Sequence, residues 1–260
     1  MNWLVPLSDL NFGQEEKDAV QRVLDSGWLA MGDVTRRFEQ EFADFTGVKH
    51  GIAVTNGTAS LHLALRALEI GPGDEVIVPS LTFVATANAI LYTGATPVFA
   101  DITSEDDLNI SPASIEEQIT EKTRAIMVMH YGGYPCDMPS IMEIARRRDL
   151  YVIEDAAHAP GAKIMERSMG AWGDIASFSF FPNKNMTTAE GGMLTTNDDT
   201  LAQKMRTLRS HGMTTLTWDR HQGHAWSYDV VDLGYNYRID EIRSAIGLEQ
   251  LRKLRRGNER

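Results

Sequence analysis

The chain has 260 residues, 43% hydrophobic and 23% charged, a balance that suits a globular protein of one large α/β domain or two small ones. Its formal net charge of -11 disfavours a nucleic-acid binder, which would show a basic surface. One cysteine, Cys136, excludes an intrachain disulfide and a cysteine-based zinc site; the N-terminus lacks signal-peptide character and no apolar run reaches about 18 residues, so a cytoplasmic protein without membrane spans is expected.

Residues 14–26 place Ala19, Val20, Val23 and Leu24 at helical spacing, with Gly27 as a stop. Residues 33–45 predict a second helix carrying Phe38, Phe42 and Phe45 on one face, capped by Gly47. From residue 50 a rhythm sets in. Short strands are expected at 52–54, 75–78, 97–99, 124–129 and 151–153, and helices at 58–68, 82–92, 112–119 and 139–148. Alternating helices and short apolar strands predict an α/β fold with a mainly parallel sheet flanked by helices. Strands at 175–180 and 193–195 and a helix at 198–208 continue it. Residues 211–233 hold His211, Trp218, His221, His224, Trp226 and Tyr228 with few aliphatics, and read as a long excursion or binding loop. Their histidine spacing matches no tight metal pattern, so no metal is expected. Residues 239–254 are an amphipathic helix whose basic end, Arg252 to Arg256, suits a helix C-terminus.

In open parallel sheets ligands gather at the carboxyl ends of strands. After the first strand, Asn56-Gly57-Thr58-Ala59-Ser60 opens a helix whose amides suit a phosphate, with Gly57 allowing close approach. The alternative at that stretch is a plain helix cap by Thr58. Phe83 follows the second strand and either stacks on a flat ring or joins the core. Asp155 ends the apolar run Tyr151–Ile153, where a buried acid needs a partner: a protonated ring nitrogen, with His158 buttressing it, or the amides of the next turn. Ser179 lies near the end of the strand at 175–180, and Lys184 follows it. A lysine just past a core strand, held partly dry, loses charge and gains the nucleophilicity that carbonyl attack requires; otherwise it is a solvated loop residue. A phosphate cradle, a flat aromatic, a buried carboxylate and a loop lysine together match pyridoxal 5'-phosphate. No Gly-x-Gly-x-x-Gly follows the first strand, which disfavours a dinucleotide.

From about residue 8 to the end the chain resembles the DegT/DnrJ/EryC1/StrS family of sugar aminotransferases, which have the fold-type I, aspartate-aminotransferase-like architecture. The resemblance is carried, in order, by Asn56–Leu61, Gly71–Pro79, Thr82–Ala89, Glu154–Ala159, Ser179–Gly192 and Gly234–Arg238. It implies that Lys184 binds the cofactor covalently and then shuttles a proton. It implies that Asp155 keeps the pyridine nitrogen protonated, His158 sits near the ring, and Phe83 stacks on it. Thr58, the Ala59 amide and Ser179 would hold the phosphate. Asn236 would reach the phosphate of a neighbouring subunit, making a homodimer. The implied reaction transfers an amino group from glutamate to a nucleotide-linked keto-sugar, for cell-surface polysaccharide or secondary-metabolite biosynthesis. One family branch carries His in place of the lysine, and Lys184 favours transamination. The family continues into a small C-terminal domain. Residues 1–235 are therefore expected to form the cofactor-binding large domain, and 236–260 a linking helix toward a domain this chain lacks. That departure keeps a second reading open: a truncated, non-catalytic homologue acting as a partner or regulatory subunit.

Overall fold

The computed structural model describes residues 10–215, 223 and 227–259. The first two helices, α1 (Gln14–Ser26) and α2 (Asp33–Thr46), end on Gly27 and Gly47, both left-handed with φ 71° and 83°. Glycine adopts that conformation without a steric penalty. Strand β1 (His50–Val54) leads into α3 (Gly57–Ala67), and β2 (Glu75–Pro79) into α4 (Val84–Tyr92). Then come β3 (Thr96–Ala100), α5 (Pro112–Gln118), β4 (Thr123–Met129), α6 (Met138–Arg148) and β5 (Tyr151–Asp155). A small hairpin, β6 (Lys163–Ile164) and β7 (Arg167–Ser168), precedes β8 (Ile175–Ser179) and β9 (Gly192–Thr196). Helix α7 (Asp199–Arg209) and the long α8 (Glu241–Asn258) follow.

Seven strands form one sheet in the order β1-β9-β8-β5-β4-β2-β3. The pairings β8–β5, β5–β4, β4–β2 and β2–β3 are parallel, and β9 alone runs against both its neighbours. The mainly parallel sheet is therefore present, with one reversal. That reversal brings the start of β9, rather than its end, beside the carboxyl ends of the other strands.

Both faces of the sheet are covered. Ala53, Ile77, Ile126 and Val152 join a core with residues of α2, α6 and α8. Ile52, Val54, Val76 and Val78 point the other way, to residues of α3, α4 and α7. Successive strand side chains alternate faces, so a doubly covered sheet demands unbroken apolar runs. The α2 stripe is core: Phe42 meets Phe178 edge-on at 4.9 Å, and Phe38 meets Phe180 at 5.5 Å. Helix α8 approaches α2 at Gly247, where a Cβ would stand 2.6 Å from the Phe38 ring.

Helix α8 is also tied to the N-terminal helices by polar contacts. Glu241 accepts from the Gly32, Val34 and Thr35 amides at 2.8, 2.9 and 2.9 Å, so a carboxylate 206 residues from Thr35 in sequence caps α2. At the other end Lys253 donates to both carboxylate oxygens of Glu16, at 2.7 and 2.9 Å. Among the described residues no helix is long and apolar enough to cross a membrane. Of the 211–233 excursion, residues 216–222 and 224–226, including Trp218, His221, His224 and Trp226, lie outside the described residues.

Candidate active site

The carboxyl ends of β1, β5 and β8 open onto a cavity of about 330 Å3. Gly57, Thr58, Phe83, Asp155, His158, Ser179 and Lys184 all line it. Seven of the nine residues singled out from sequence are thus brought to one hollow.

Its floor is built by α3. Asn56 caps that helix, its Oδ1 accepting from the Ala59 amide at 2.8 Å. The cap is therefore Asn56, while Thr58 faces the cavity. The Ala59 amide is engaged by this cap. The Gly57 and Thr58 amides, first in the helix, make no hydrogen bond among the described residues, and they form the positive end of the helix dipole. Gly57 is required by close packing: a Cβ there would lie 2.8 Å from the Ser179 Cβ. A Cβ on Gly192, at the start of β9, would lie 2.6 Å from the Asn56 carbonyl oxygen. Two glycines thus let three chain segments converge on one small concavity beside the Ser179 hydroxyl. That concavity matches a phosphate in charge and shape.

Asp155, 4% exposed, is the last residue of β5. Thr86 Oγ1 lies 2.9 Å from its Oδ2, and the Ala157 amide donates to Oδ1 at 3.2 Å. The Thr86 hydroxyl has one proton and also lies 2.9 Å from the Phe83 carbonyl oxygen, so it serves both acceptors imperfectly. Burial pushes the Asp155 carboxyl above its usual range, against the pull of Thr86, Ala157, His158 and Lys184. A cation placed against this carboxylate would satisfy it. Burial lowers the pKa of Lys184, opposed by Asp155. His158 is lowered by burial and by Lys184, so its ring tends to neutrality. Its Nδ1 is buried without a hydrogen-bond partner.

The lysine is held by its loop. Lys184 N donates to the Phe181 carbonyl at 2.9 Å, and the Thr187 hydroxyl and Thr188 amide donate to Phe180 O at 2.8 and 3.0 Å. Met186, 1% exposed, anchors the loop in the core. Phe83 is no core residue: it is 66% exposed at the cavity mouth, preceding α4. Helix α4 starts at Val84, two residues later than the periodicity suggests, because Phe83 is extended and its carbonyl takes the Thr86 amide at 3.0 Å. Ala59 lines a neighbouring hollow with His62, Tyr92 and Tyr237. Asn236 is exposed and stands outside the cavity of its own chain.

One buried group was missed in sequence. Glu154 accepts His130 Nε2–H at 3.1 Å and the Gly170, Trp172 and Gly173 amides at 2.8, 2.8 and 2.7 Å. His130 Nδ1 accepts the Cys136 amide at 3.1 Å, which fixes the Nε2–H tautomer. The available signal was an acid inside an apolar strand, directly before Asp155.

The residues fit pyridoxal phosphate. A dipole-lined concavity suits the phosphate, a buried under-satisfied carboxylate suits the pyridinium nitrogen, and a partly dry lysine suits the aldehyde. His158 lines the same cavity, and its buried Nδ1 has no hydrogen-bond partner among the described residues.

Comparison with known proteins agrees. The chain is 47% identical over 254 residues to the spore coat polysaccharide biosynthesis protein SpsC of Bacillus subtilis, covering 97% of this chain and 65% of SpsC. It is 50% identical over 240 residues to GDP-perosamine synthase of Caulobacter vibrioides, covering 92% and 62% of the two chains. The structure superposes on Helicobacter pylori PseC, an aminotransferase involved in the biosynthesis of pseudoaminic acid, with a TM-score of 0.88 and 35% identity over 96% of this chain and 66% of that one. The chain therefore spans less than two thirds of the length of these curated relatives. Structural neighbours are pyridoxal-phosphate aminotransferases, and that is the cofactor the family indicates. Residues 11–260 match the family model, and the chain belongs to the DegT/DnrJ/EryC1/StrS aminotransferase family.

Proposed function

We propose that this chain carries the cofactor site of an enzyme that transfers an amino group from glutamate to a nucleotide-linked keto-sugar, giving an amino sugar. The observation that carries this reading is the convergence of Asp155, His158, Ser179 and Lys184 on one cavity at the strand ends. The relatives' printed roles in polysaccharide biosynthesis support the sugar class of acceptor.

When bound, pyridoxal phosphate supplies the electron sink of transamination. The residues of the chain supply the rest. The Gly57 and Thr58 amides and the Ser179 hydroxyl bind the phosphate. Asp155 holds a proton at the ring nitrogen, since a buried carboxylate gains most from an adjacent cation. Lys184, a side chain already inclined to neutrality, would hold the cofactor's aldehyde end and would carry the proton of the amino-acid Cα. His158, tending to neutrality, would help to orient the ring, and Phe83 would cover it.

The active unit in this reading is a homodimer. Phe83 at the cavity and Leu91, Tyr92 and Phe99, further along α4 and β3, are 53–66% exposed, and Leu233, three residues before Asn236, is 76% exposed. Exposed apolar patches of this kind mark association surfaces. Asn236 would then reach the phosphate of the neighbouring site. Mixing Lys184→Ala with Asn236→Ala subunits should restore part of the activity that each lacks alone. Failure of any mixture to recover activity would place Asn236 within its own subunit or outside the site.

The visible absorption spectrum of the chain with pyridoxal phosphate tests the reading. A band from lysine-bound cofactor is expected, bleached by glutamate and absent in Lys184→Ala. A folded protein without the band would support the other reading, a non-catalytic homologue that acts as a partner subunit.

A further inference from the structure

We propose a second ligand site, for a small phosphorylated anion, at the opposite end of the sheet from the cofactor cavity. It lies in a crevice of about 340 Å3 between α2, the start of β1 and α7. Arg36, Lys49, Arg206 and Arg209 line it, with His50 beside them, and Glu39 is its one acid among the described residues. On a chain of formal charge -11 this is a concentrated reversal of sign.

The acid is already committed. Glu39 Oε1 takes Arg209 Nη1 and the Ala53 amide, the latter at 2.9 Å. Arg209 is 2% exposed, and its Nε has no hydrogen-bond partner although fully buried. Arg206, half-buried on the same wall, makes one long hydrogen bond to the Gly51 carbonyl at 3.4 Å and no ion pair within 4 Å among the described residues. Burial and the neighbouring Arg209 both act against its charge, with Glu39 opposing them. Two guanidinium groups in a partly dry wall, with one carboxylate that bonds Arg209 alone of the two, are short of negative charge. At the rim Arg36 pairs with Asp33 at 3.7 Å, and Asp199 pairs with Lys49 at 3.6 Å and with His50 at 2.7 Å. Both acids are largely exposed, and such pairs are weak enough to rearrange around a ligand.

The chemistry of the walls selects the ligand class. Guanidinium forks match phosphate oxygens in pairs. Among the described residues Met31 is the one large apolar side chain in the lining, which offers a nucleobase or a sugar face no platform. The volume lies at the small end of ligand cavities, roughly 300–1,000 Å3. A phosphate or diphosphate group therefore fits, as a free anion or as the charged end of a metabolite. The site is separate from the phosphate cradle: β1 begins at the crevice with His50 and Gly51 and ends at Val54, about 13 Å further along at roughly 3.3 Å per residue, just before Asn56. The same strand joins the two, because Arg209 Nη1 donates to Ala53 O at 2.6 Å.

Isothermal titration with inorganic pyrophosphate at fixed ionic strength, with sulfate as the control anion, tests the proposal. Saturable binding is expected in the cofactor-loaded protein, and equally in cofactor-free Ser179→Ala, in which the cradle is impaired. Arg206→Gln and Lys49→Gln should each weaken it by about tenfold or more, as loss of a charged hydrogen bond implies. Lys49 is 61% exposed, so its variant decides the matter should Arg206→Gln fail to fold by circular dichroism. Binding abolished by Ser179→Ala, insensitive to Lys49→Gln, or matched by sulfate at equal ionic strength would overturn the proposal. The cofactor-free arm reads this site whatever the fate of the aminotransferase reading.

Discussion

Glu154 and Asp155 are consecutive on β5, at 0% and 4% exposure, and their surroundings oppose each other. Glu154 faces four donors, three of them backbone amides, and they outweigh burial to hold its carboxyl below the usual range. Asp155 faces one amide and a shared hydroxyl, and burial wins, raising it. The first is a finished structural node that ties β5 to the 170–173 turn and to His130. The second is left short of positive charge at the edge of a cavity. A buried acid that the fold satisfies supports the fold, and one that it leaves under-satisfied awaits a ligand.

The most severe way to break the cavity side of this contrast is Lys184→Ala. In the proposed reaction the half-reaction with glutamate should fall by about 10²–10⁴-fold or more, the usual worth of a positioned proton-transfer group, with the thermal midpoint little changed. Stopped-flow absorbance checks it, and a variant retaining most of the parental rate would remove Lys184 from the chemistry. On the structural side, Glu154→Gln turns an acceptor of four bonds toward those same donors as an amide. Its loss should cost about 3 kcal/mol, in the range for breaking a buried charged network, with no selective effect on cofactor affinity. Urea unfolding of the cofactor-free protein measures it; an unchanged midpoint would mean that the node is dispensable.

Asp155→Asn sharpens the comparison because its two effects have opposite signs. A group whose folded pKa is raised destabilises the folded state at pH values above its unfolded pKa, and the penalty fades as pH falls. Removing the charge should therefore raise the thermal midpoint of the cofactor-free protein at pH 7. The same change should weaken pyridoxal-phosphate binding by about tenfold, because in the proposed site the ring nitrogen would lose its counter-charge. A lower midpoint together with unchanged affinity would make Asp155 a second structural acid.

Much of this was legible in sequence where a single physical demand acts locally. Val76–Val78 and Ile126–Val128 read as strands because a doubly covered sheet requires apolar residues on both faces. Asp155 and Lys184 stood out as charged residues directly past such runs. What escaped was set by distant partners. The reversal of β9 leaves no trace in Gly192–Thr196 itself, because a buried strand looks alike in either direction. Glu154 reads as a flaw in its strand until His130, 24 residues earlier, and the 170–173 amides are placed around it. Helix α2 begins with no side-chain cap of its own, and Glu241 supplies one from the far end of the chain.

The joint between α1 and α8 gives the smallest test and extends the comparison to pH. Glu16 is 1% exposed, as dry as Asp155, yet it belongs with Glu154 because its donors are all present. Burial pushes its carboxyl up. Hydrogen bonds from Lys253, the Gly13 amide and Gln250 overcome that and bring it from the ordinary 4.5 down to about 2. A depressed carboxyl contributes stability that is complete above the unfolded pKa near 4.5 and lost as pH falls through about 2. At about 1.4 kcal/mol per pKa unit the contribution at pH 7 is up to about 3 kcal/mol, reduced in practice by the partial exposure of Lys253. Glu16→Gln should thus lower the urea midpoint at pH 7, and the gap to the parent should narrow as pH falls from 4.5 toward 2. A gap of constant size across that range would show that shape and hydrogen bonding at Glu16, rather than its charge, hold α1 to α8.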